Sequence, residues 1–321
     1  MRLTEALAMT DLPLKQHDYQ HPLFDSTRWN SFETRPDDII VCTSYKAGTT
    51  WTQMICALLV HQTPDLPRPL AELSPWLDLR IAPIEEIKRL YDTQPWRRVV
   101  KTHTPLDGLN YRPDVSYIIC GRDPRDVFLS MQGHLENINM EVVGQALAAQ
   151  GIMLEPPPPM PEDMSERFKI WMQNASFDWE QDGVPLWSHF RHAQTFWEFR
   201  HLPNMLFLHY ADLKTDLEGQ MRRVAKFLGV EVAEERWPAL VKAATFEDMK
   251  ANADSRAPDT NFGVYHSNDQ FFKKGTNRQW EGVLSAESLK LYEETFRPRY
   301  GDELVNWLEK GSLATGFPEE R

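Results

Sequence analysis

Several things are scarce in this sequence, and each shortage excludes something. Cysteine is rare: three residues in 321, at Cys42, Cys56 and Cys120, all inside apolar segments that read as strand, helix and strand. An odd, sparse set in such places predicts reduced core thiols and a cytoplasmic setting, not a disulfide framework. No CxxC and no HExxH occurs, so neither a redox pair nor a zinc site is indicated. His189 and His192 stand three apart, yet no Cys or carboxylate matches their spacing, and no metal is expected. Long apolar runs are missing too. The stretch Met54–Val60 is far too short to span a bilayer, and the opening MRLTEALAMTDLPLK lacks the apolar core of a signal peptide. Positive charge is also in deficit, with 35 Lys and Arg against 47 Asp and Glu, a net charge of −12 with His neutral. Such a chain is a poor partner for nucleic acid or an anionic membrane, and any local cluster of cations calls for a reason.

Hydrophobic residues at 41% and aromatics at 11% are enough for a packed core. Four segments read as buried strands: 38–45, 98–103, 115–121 and 205–210. Helices are predicted over 49–61, 125–139 and 212–228, the last ending at Gly229. Strands alternating with helices indicate an α/β fold, a central parallel sheet flanked by helices. One domain over 1–321 is expected, with its core at about 36–300. The consecutive prolines Pro156–Pro159 predict a flexible insertion at about 140–165, and the Asn/Asp/Ser-rich run predicts a mobile segment at about 252–278.

Three clusters carry chemistry. In Ser44–Trp51 (SYKAGTTW), a strand feeds a tight turn at Gly48 and a helix opened by Thr49 and Thr50, with Lys46 beside it. Helix N–H groups, threonine hydroxyls and an ammonium together suit an anion; an ordinary Thr-capped turn is the competing reading. The segment is not GxxxxGK[ST], because it has one Gly and the Lys precedes it. In CGRDPRDVFLS, Arg122 ends a strand and Ser130 lies eight residues later on the following helix, an arrangement suited to a second phosphate. Arg125 and Asp126 read as a surface pair, and Asp123 stands where a magnesium-holding acid would serve an NTPase. In FFKKGTNRQW, Phe272, Lys273, Lys274 and Gly275 form a basic loop over a nucleotide or a solvated turn.

Together these clusters resemble the cytosolic, PAPS-dependent sulfotransferase family, whose members transfer a sulfuryl group from 3′-phosphoadenosine-5′-phosphosulfate (PAPS). The family's YPKSGTTW matches Tyr45–Trp51, its Arg and Ser eight apart match Arg122 and Ser130, and its late RKGxxGxW matches Lys273–Gly275 and Trp280. Lys101-Thr102-His103 matches the family's KTH, and LFLHYADLK its LFLxYEDLK; Phe246 falls on an adenine neighbour. The match runs in order from about Asp38 to Trp280. It departs at Ala47, where Ser is usual and is linked to restraining premature hydrolysis of the donor. It departs also at Lys273, where Arg is usual, at Arg278, which replaces the second Gly, and after Trp280, where the short dimer motif is not reproduced.

The resemblance implies a P-loop nucleotide-kinase-like fold and catalysis by His103, Lys46 and Lys101. His103 would be the general base, Lys46 would neutralise the leaving phosphate, and Lys101 would assist at the sulfuryl oxygens. It implies nucleotide binding by Lys46, Ala47, Gly48, Thr49, Thr50, Trp51, Arg122, Ser130, Tyr210, Phe246, Phe272, Lys273, Lys274 and Gly275. Trp51 either stacks on adenine or sits in the core. PAPS would be the cosubstrate and 3′-phosphoadenosine 5′-phosphate (PAP) the product, with no metal. The acceptor group is expected to be a hydroxyl or an amine of a small hydrophobic molecule, with an alcohol or phenol favoured, bounded by Trp76, Phe128, Trp171, Phe177 and Trp187. Neither nucleic acid nor membrane is an expected partner, and the assembly is a monomer or homodimer. The alternatives are a Mg-dependent kinase or NTPase with a degenerate P-loop, and a nucleotide-binding protein that has lost catalysis.

Overall fold

The computed structural model describes residues 12–155, 158–257, 263–272 and 275–316. Four strands form its centre: β1 Ile39–Cys42, β2 Val99–Thr102, β3 Ser116–Gly121 and β4 Met205–His209. They pair in parallel in the order β2-β1-β3-β4, with Ile39 opposite both Val99 and Ser116, and Tyr117 opposite Met205. Helices cover both faces, so the strands are apolar on both: Ile40 and Cys42 enter one core, Ile39 and Val41 the other. At the entry to β1, the buried Asp38 carboxylate accepts two bonds from Arg98, from Nε at 2.9 Å and from one terminal nitrogen at 2.6 Å. That fork fixes the two strands' relative start.

From β1 the chain runs through α1 (Thr49–His61) and α2 (Ile84–Asp92) to β2. It then passes to β3 on the opposite side of β1. The strand order therefore reverses between β1 and β3, and the loops at the carboxyl ends of those strands flank a crevice. Beyond β3 lie α3 (Pro124–Leu135), α4 (Met140–Ala148), α5 (Met164–Gln173) and α6 (His189–Trp197). After β4 come α7 (Tyr210–Thr215), α8 (Leu217–Leu228), α9 (Phe246–Ala251) and α10 (Ala286–Tyr300). No helix among the described residues is long and apolar enough to cross a membrane. The three cysteines are buried and free.

Two sequence-based expectations need correction. The helix read over 212–228 is two helices, because Asp216 turns out of helical geometry and its carboxylate caps the N–H of Gly219 at 2.9 Å. Within 140–165, α4 occupies the first third, with Val143 and Leu147 buried. Within 252–278, Ala253–Arg256 and Asn268–Phe271 are helical turns. Arg125 pairs not with Asp126 but with Asp123, at 2.8 Å, and lies over the Trp280 ring at 4.1 Å. Asp123 precedes the helix and its carboxylate takes the N–H of Arg125, whereas Asp126 accepts the N–H groups of Arg278 and Gln279 at 2.8 and 2.7 Å.

Candidate active site

The loop leaving β1 turns through two left-handed residues, Lys46 at φ 57° and Gly48 at φ 108°. A Cβ on Gly48 would sit 3.2 Å from Cys120 Sγ and 3.3 Å from the Tyr210 ring, so glycine is required by both conformation and space. Gly48 is also the N-cap of α1, and it brings no capping side chain. The first N–H groups of α1 thus meet no side-chain cap at the crevice. The Thr49 hydroxyl is tied to that of Thr43 at 2.5 Å. Lys46 Nζ lies 4.3 Å over the Phe271 ring and 3.5 Å from His134 Nδ1, and the Lys46 carbonyl accepts from Arg122 at 2.9 Å.

Arg122 is 5% exposed, with its guanidinium 4.2 Å over the Tyr210 ring and a further bond to the Thr276 carbonyl at 3.3 Å. Its Nε–H is buried and has no partner among the described residues. A buried guanidinium with an orphaned donor fits a bound anion. Gly275, at φ 57°, passes so close to Phe246 that a Cβ would come within 2.7 Å of the ring. Phe272 meets Phe246 edge-on at 6.2 Å.

At the end of β2, His103 donates its Nδ1–H to the Thr43 carbonyl at 2.6 Å. A carbonyl only accepts, so the proton is on Nδ1 and Nε2 keeps its lone pair. The ring is 5% exposed and meets Trp76 edge-on at 4.4 Å. Burial, the neighbouring Lys101 charge, His192 and Lys46 hold its pKa well below the ordinary 6.5, against the bond to Thr43 that raises it. Lys101 Nζ lies 4.6 Å over the Trp76 ring, and burial lowers its pKa to about 8 against the opposing pull of Asp78.

One cavity of about 2090 Å³ brings most of these groups together. Lys46, Gly48, Thr49, Thr50, Trp51, Lys101, His103, Arg122, Ser130, Tyr210, Phe246, Phe272 and Gly275 all line it. Trp51 does so while its indole N–H is tied to the Ala244 carbonyl at 2.8 Å and its ring meets Tyr210 edge-on. The Ala47 side chain is fully buried in a small core with Tyr45, Val127 and Trp187. Lys273 and Lys274 lie outside the described residues. Of the aromatic walls, Trp76, Phe128 and Trp171 line the cavity, whereas Phe177 and Trp187 pack into that same small core. The rest of the lining mixes apolar residues, among them Leu79, Ile87, Leu90, Val143 and Met160, with polar ones such as Glu72, Glu86, Gln132 and Arg167.

The sequence did not reveal three partners. Thr43 serves His103 with its carbonyl and Thr49 with its hydroxyl. His189 donates Nε2–H to the Arg122 carbonyl at 3.1 Å and accepts the Ser44 hydroxyl at Nδ1, binding the two strand ends together. Asp78 receives the hydroxyls of Thr102 and Thr104 on either side of His103. Asp123 is engaged by Arg125 and by the Trp280 indole at 3.1 Å. No group of three or more metal-binding side chains occurs among the described residues.

A cationic anion cradle at the switch point of a parallel sheet, with a neutral histidine at the next strand end, defines a nucleotide-dependent group-transfer enzyme. The sulfotransferase domain family model matches residues 36–304, and the chain belongs to that family. It is 37% identical over 308 residues to a glycolipid sulfotransferase of Mycobacterium bovis (strain BCG / Pasteur 1173P2), covering 91% of this chain and 94% of the relative. Human sulfotransferase 1C2 is 24% identical over 286 residues, covering 86% and 88%. Among solved structures, mouse sulfotransferase SULT7A1 complexed with PAP aligns with a TM-score of 0.66 at 20% identity, over 88% of this chain and 92% of that one. Retinol dehydratase in complex with retinol and PAP aligns at 0.64 and 23%, over 86% and 85%.

Proposed function

We propose that this sulfotransferase moves the sulfuryl group of PAPS to a hydroxyl of a hydrophobic acceptor, with His103 as general base. The observation that carries the reading is the free lone pair of a neutral, buried His103 in the same cavity as the Lys46, Gly48, Arg122 and Tyr210 cradle. That cradle fits the nucleotide on two counts: a helix N-terminus with no side-chain cap behind Gly48, and an orphaned Arg122 Nε–H. PAP in two proteins of like fold agrees with it.

The roles follow from chemistry. The acceptor oxygen forms a bond to sulfur while the bond from sulfur to the bridging phosphate oxygen breaks. The acceptor's proton goes to His103 Nε2. Lys46 offsets charge on the departing oxygen and Lys101 the charge on the sulfuryl oxygens. The N-terminus of α1, with Thr49 and Thr50, holds the 5′-phosphate; Arg122 with Ser130 holds the 3′-phosphate. Trp51, Tyr210 and Phe246 border the adenine. Lys273 and Lys274 are the remaining cations proposed for this end of the nucleotide.

For the acceptor, the volume favours a large amphiphile. Pockets for drug-sized ligands run to about 300–1,000 Å³, and this cavity is about 2090 Å³ with many apolar residues in its lining. The relative's name, glycolipid sulfotransferase, points the same way. A Mg-dependent kinase is disfavoured because Asp123 is already engaged by Arg125 and Trp280. The test is sulfate transfer from PAPS to a lipid alcohol in chelator. Product with the wild type and none with His103→Ala is expected; equal product from both removes His103 as the base.

A further inference from the structure

Behind the site lies a carboxylate that the transfer scheme does not use. Asp78 is 1% exposed. One of its oxygens accepts the hydroxyls of Thr102 at 2.6 Å and Thr104 at 2.7 Å, and the other accepts the Trp29 indole N–H at 2.9 Å. Thr102 and Thr104 are the neighbours of His103 on both sides, and the Thr104 N–H returns to the Thr102 hydroxyl at 3.0 Å. Trp76, two residues before Asp78, bridges in parallel to Lys101 and lies against both the Lys101 ammonium and the His103 ring. A single short segment thus touches the base and the cation through Trp76 and holds the side chains flanking the base through Asp78.

Burial raises the pKa of Asp78, and the hydrogen bonds from Thr102, Thr104 and Trp29 oppose that rise by favouring the charged form. A cation close by would favour that form further. Beside Lys101 stand His103 on its own strand end, the Trp76 ring and the Tyr91 phenol, whose oxygen accepts the Lys101 backbone N–H at 3.4 Å. None of these three carries a negative charge at neutral pH. Asp78 supplies one, and it opposes the effect of burial on Lys101.

We infer that Asp78 is a positioning residue for sulfuryl transfer: it locks the two residues flanking His103 and provides the counter-charge for the buried Lys101 ammonium. The inference rests on the proposed roles of His103 and Lys101. It separates into two parts that different variants address. Asp78→Asn keeps an oxygen for the two threonines but removes the charge, and it sets an amide donor against the Trp29 indole; adding Trp29→Phe relieves that conflict. Thr104→Val removes one grip and leaves the charge.

The experiment measures PAP binding by thermal shift and the pH profile of kcat/KM for PAPS in wild type, Asp78→Asn/Trp29→Phe and Thr104→Val. PAP stabilisation is expected in all three. Misplacing a reacting group by ~1 Å can cost about 100-fold, so kcat should fall about tenfold or more in both variants. The alkaline limb should move to lower pH in the asparagine variant alone, because without the negative charge Lys101 gives up its proton more easily. An unmoved limb beside an active wild type overturns the role in charge, and an unchanged kcat in Thr104→Val overturns the grip. If the asparagine variant does not fold, Thr102→Val joins Thr104→Val, and normal kcat in both overturns the inference. A wild type that transfers no sulfate, while binding PAP, overturns the sulfuryl-transfer reading and this inference with it.

Discussion

The Nδ1–H of His103 donates to the Thr43 carbonyl at 2.6 Å, and the Thr43 hydroxyl meets that of Thr49 at 2.5 Å. One residue at the end of β1 therefore orients the ring proposed as base and the first residue of the helix proposed to hold phosphate. Replacing His103 by Ala removes the proton acceptor but leaves the cradle of Lys46, Gly48 and Arg122 intact. Transfer should fall by about 10²–10⁴-fold, the usual contribution of a general base, with the PAP dissociation constant within a few-fold of wild type. Turnover assays and calorimetry check the two halves separately.

The pH profile follows from the same environment. His103 must be neutral to accept a proton, and its pKa lies well below the ordinary 6.5 because burial and the Lys101 charge oppose protonation. The acid limb of kcat/KM for PAPS should accordingly fall well below pH 6.5. Lys101 must be charged, and its pKa is near 8 in the free enzyme, so activity should decline as pH rises through about 8. An acid limb at or above 6.5 would show that the titrating base is not this buried ring.

Arg122 joins the Lys46 carbonyl, the Tyr210 ring and an unpartnered Nε–H in one side chain. Arg122→Ala should weaken PAP binding by about 10²-fold or more, since each hydrogen bond to a charged group contributes about 1.5–3 kcal/mol. Arg122→Lys should rescue little, because an ammonium lacks the planar fork. Calorimetric titration of the two variants distinguishes loss of the fork from loss of charge.

Gly48 has a positive φ and two neighbours within 3.3 Å of a would-be Cβ. Gly48→Ala should lower stability by about 1–3 kcal/mol and impair PAP binding, whereas a side-chain-only account would leave binding untouched. Thermal denaturation with and without PAP measures both effects.

Local and distant contributions differ in how legible the sequence was. The strand, the tight turn and the helix of residues 39–61 were readable because apolar runs, Gly48 and the paired threonines act within a few residues. Arg122 and His103 were readable for the same reason: each ends a strand. Resemblance, not periodicity, supplied Tyr210 and Phe246. His189 was not readable as a partner of Ser44, 145 residues away, nor Asp78 as the partner of Thr102 and Thr104, because folding alone brings them together. Trp76 and Trp187 are alike as sequence, yet one lines the cavity and the other fills a core, a choice made by packing.

The apolar residues of the cavity lining set the expectation for acceptors. For unbranched alcohols, kcat/KM should climb about fourfold per added methylene, as ~0.8 kcal/mol per buried methylene implies, until the chain fills the available space. A flat series would mean that the acceptor does not bind against Leu79, Ile87 and Leu90.

The most direct test of the central claim is a calorimetric titration of the wild-type chain with PAP in the presence of a chelator. The account predicts saturable binding to one site, lost in Arg122→Ala and unaffected by adding Mg²⁺. No heat of binding, or binding that appears only with Mg²⁺ and equally for ATP, would contradict it.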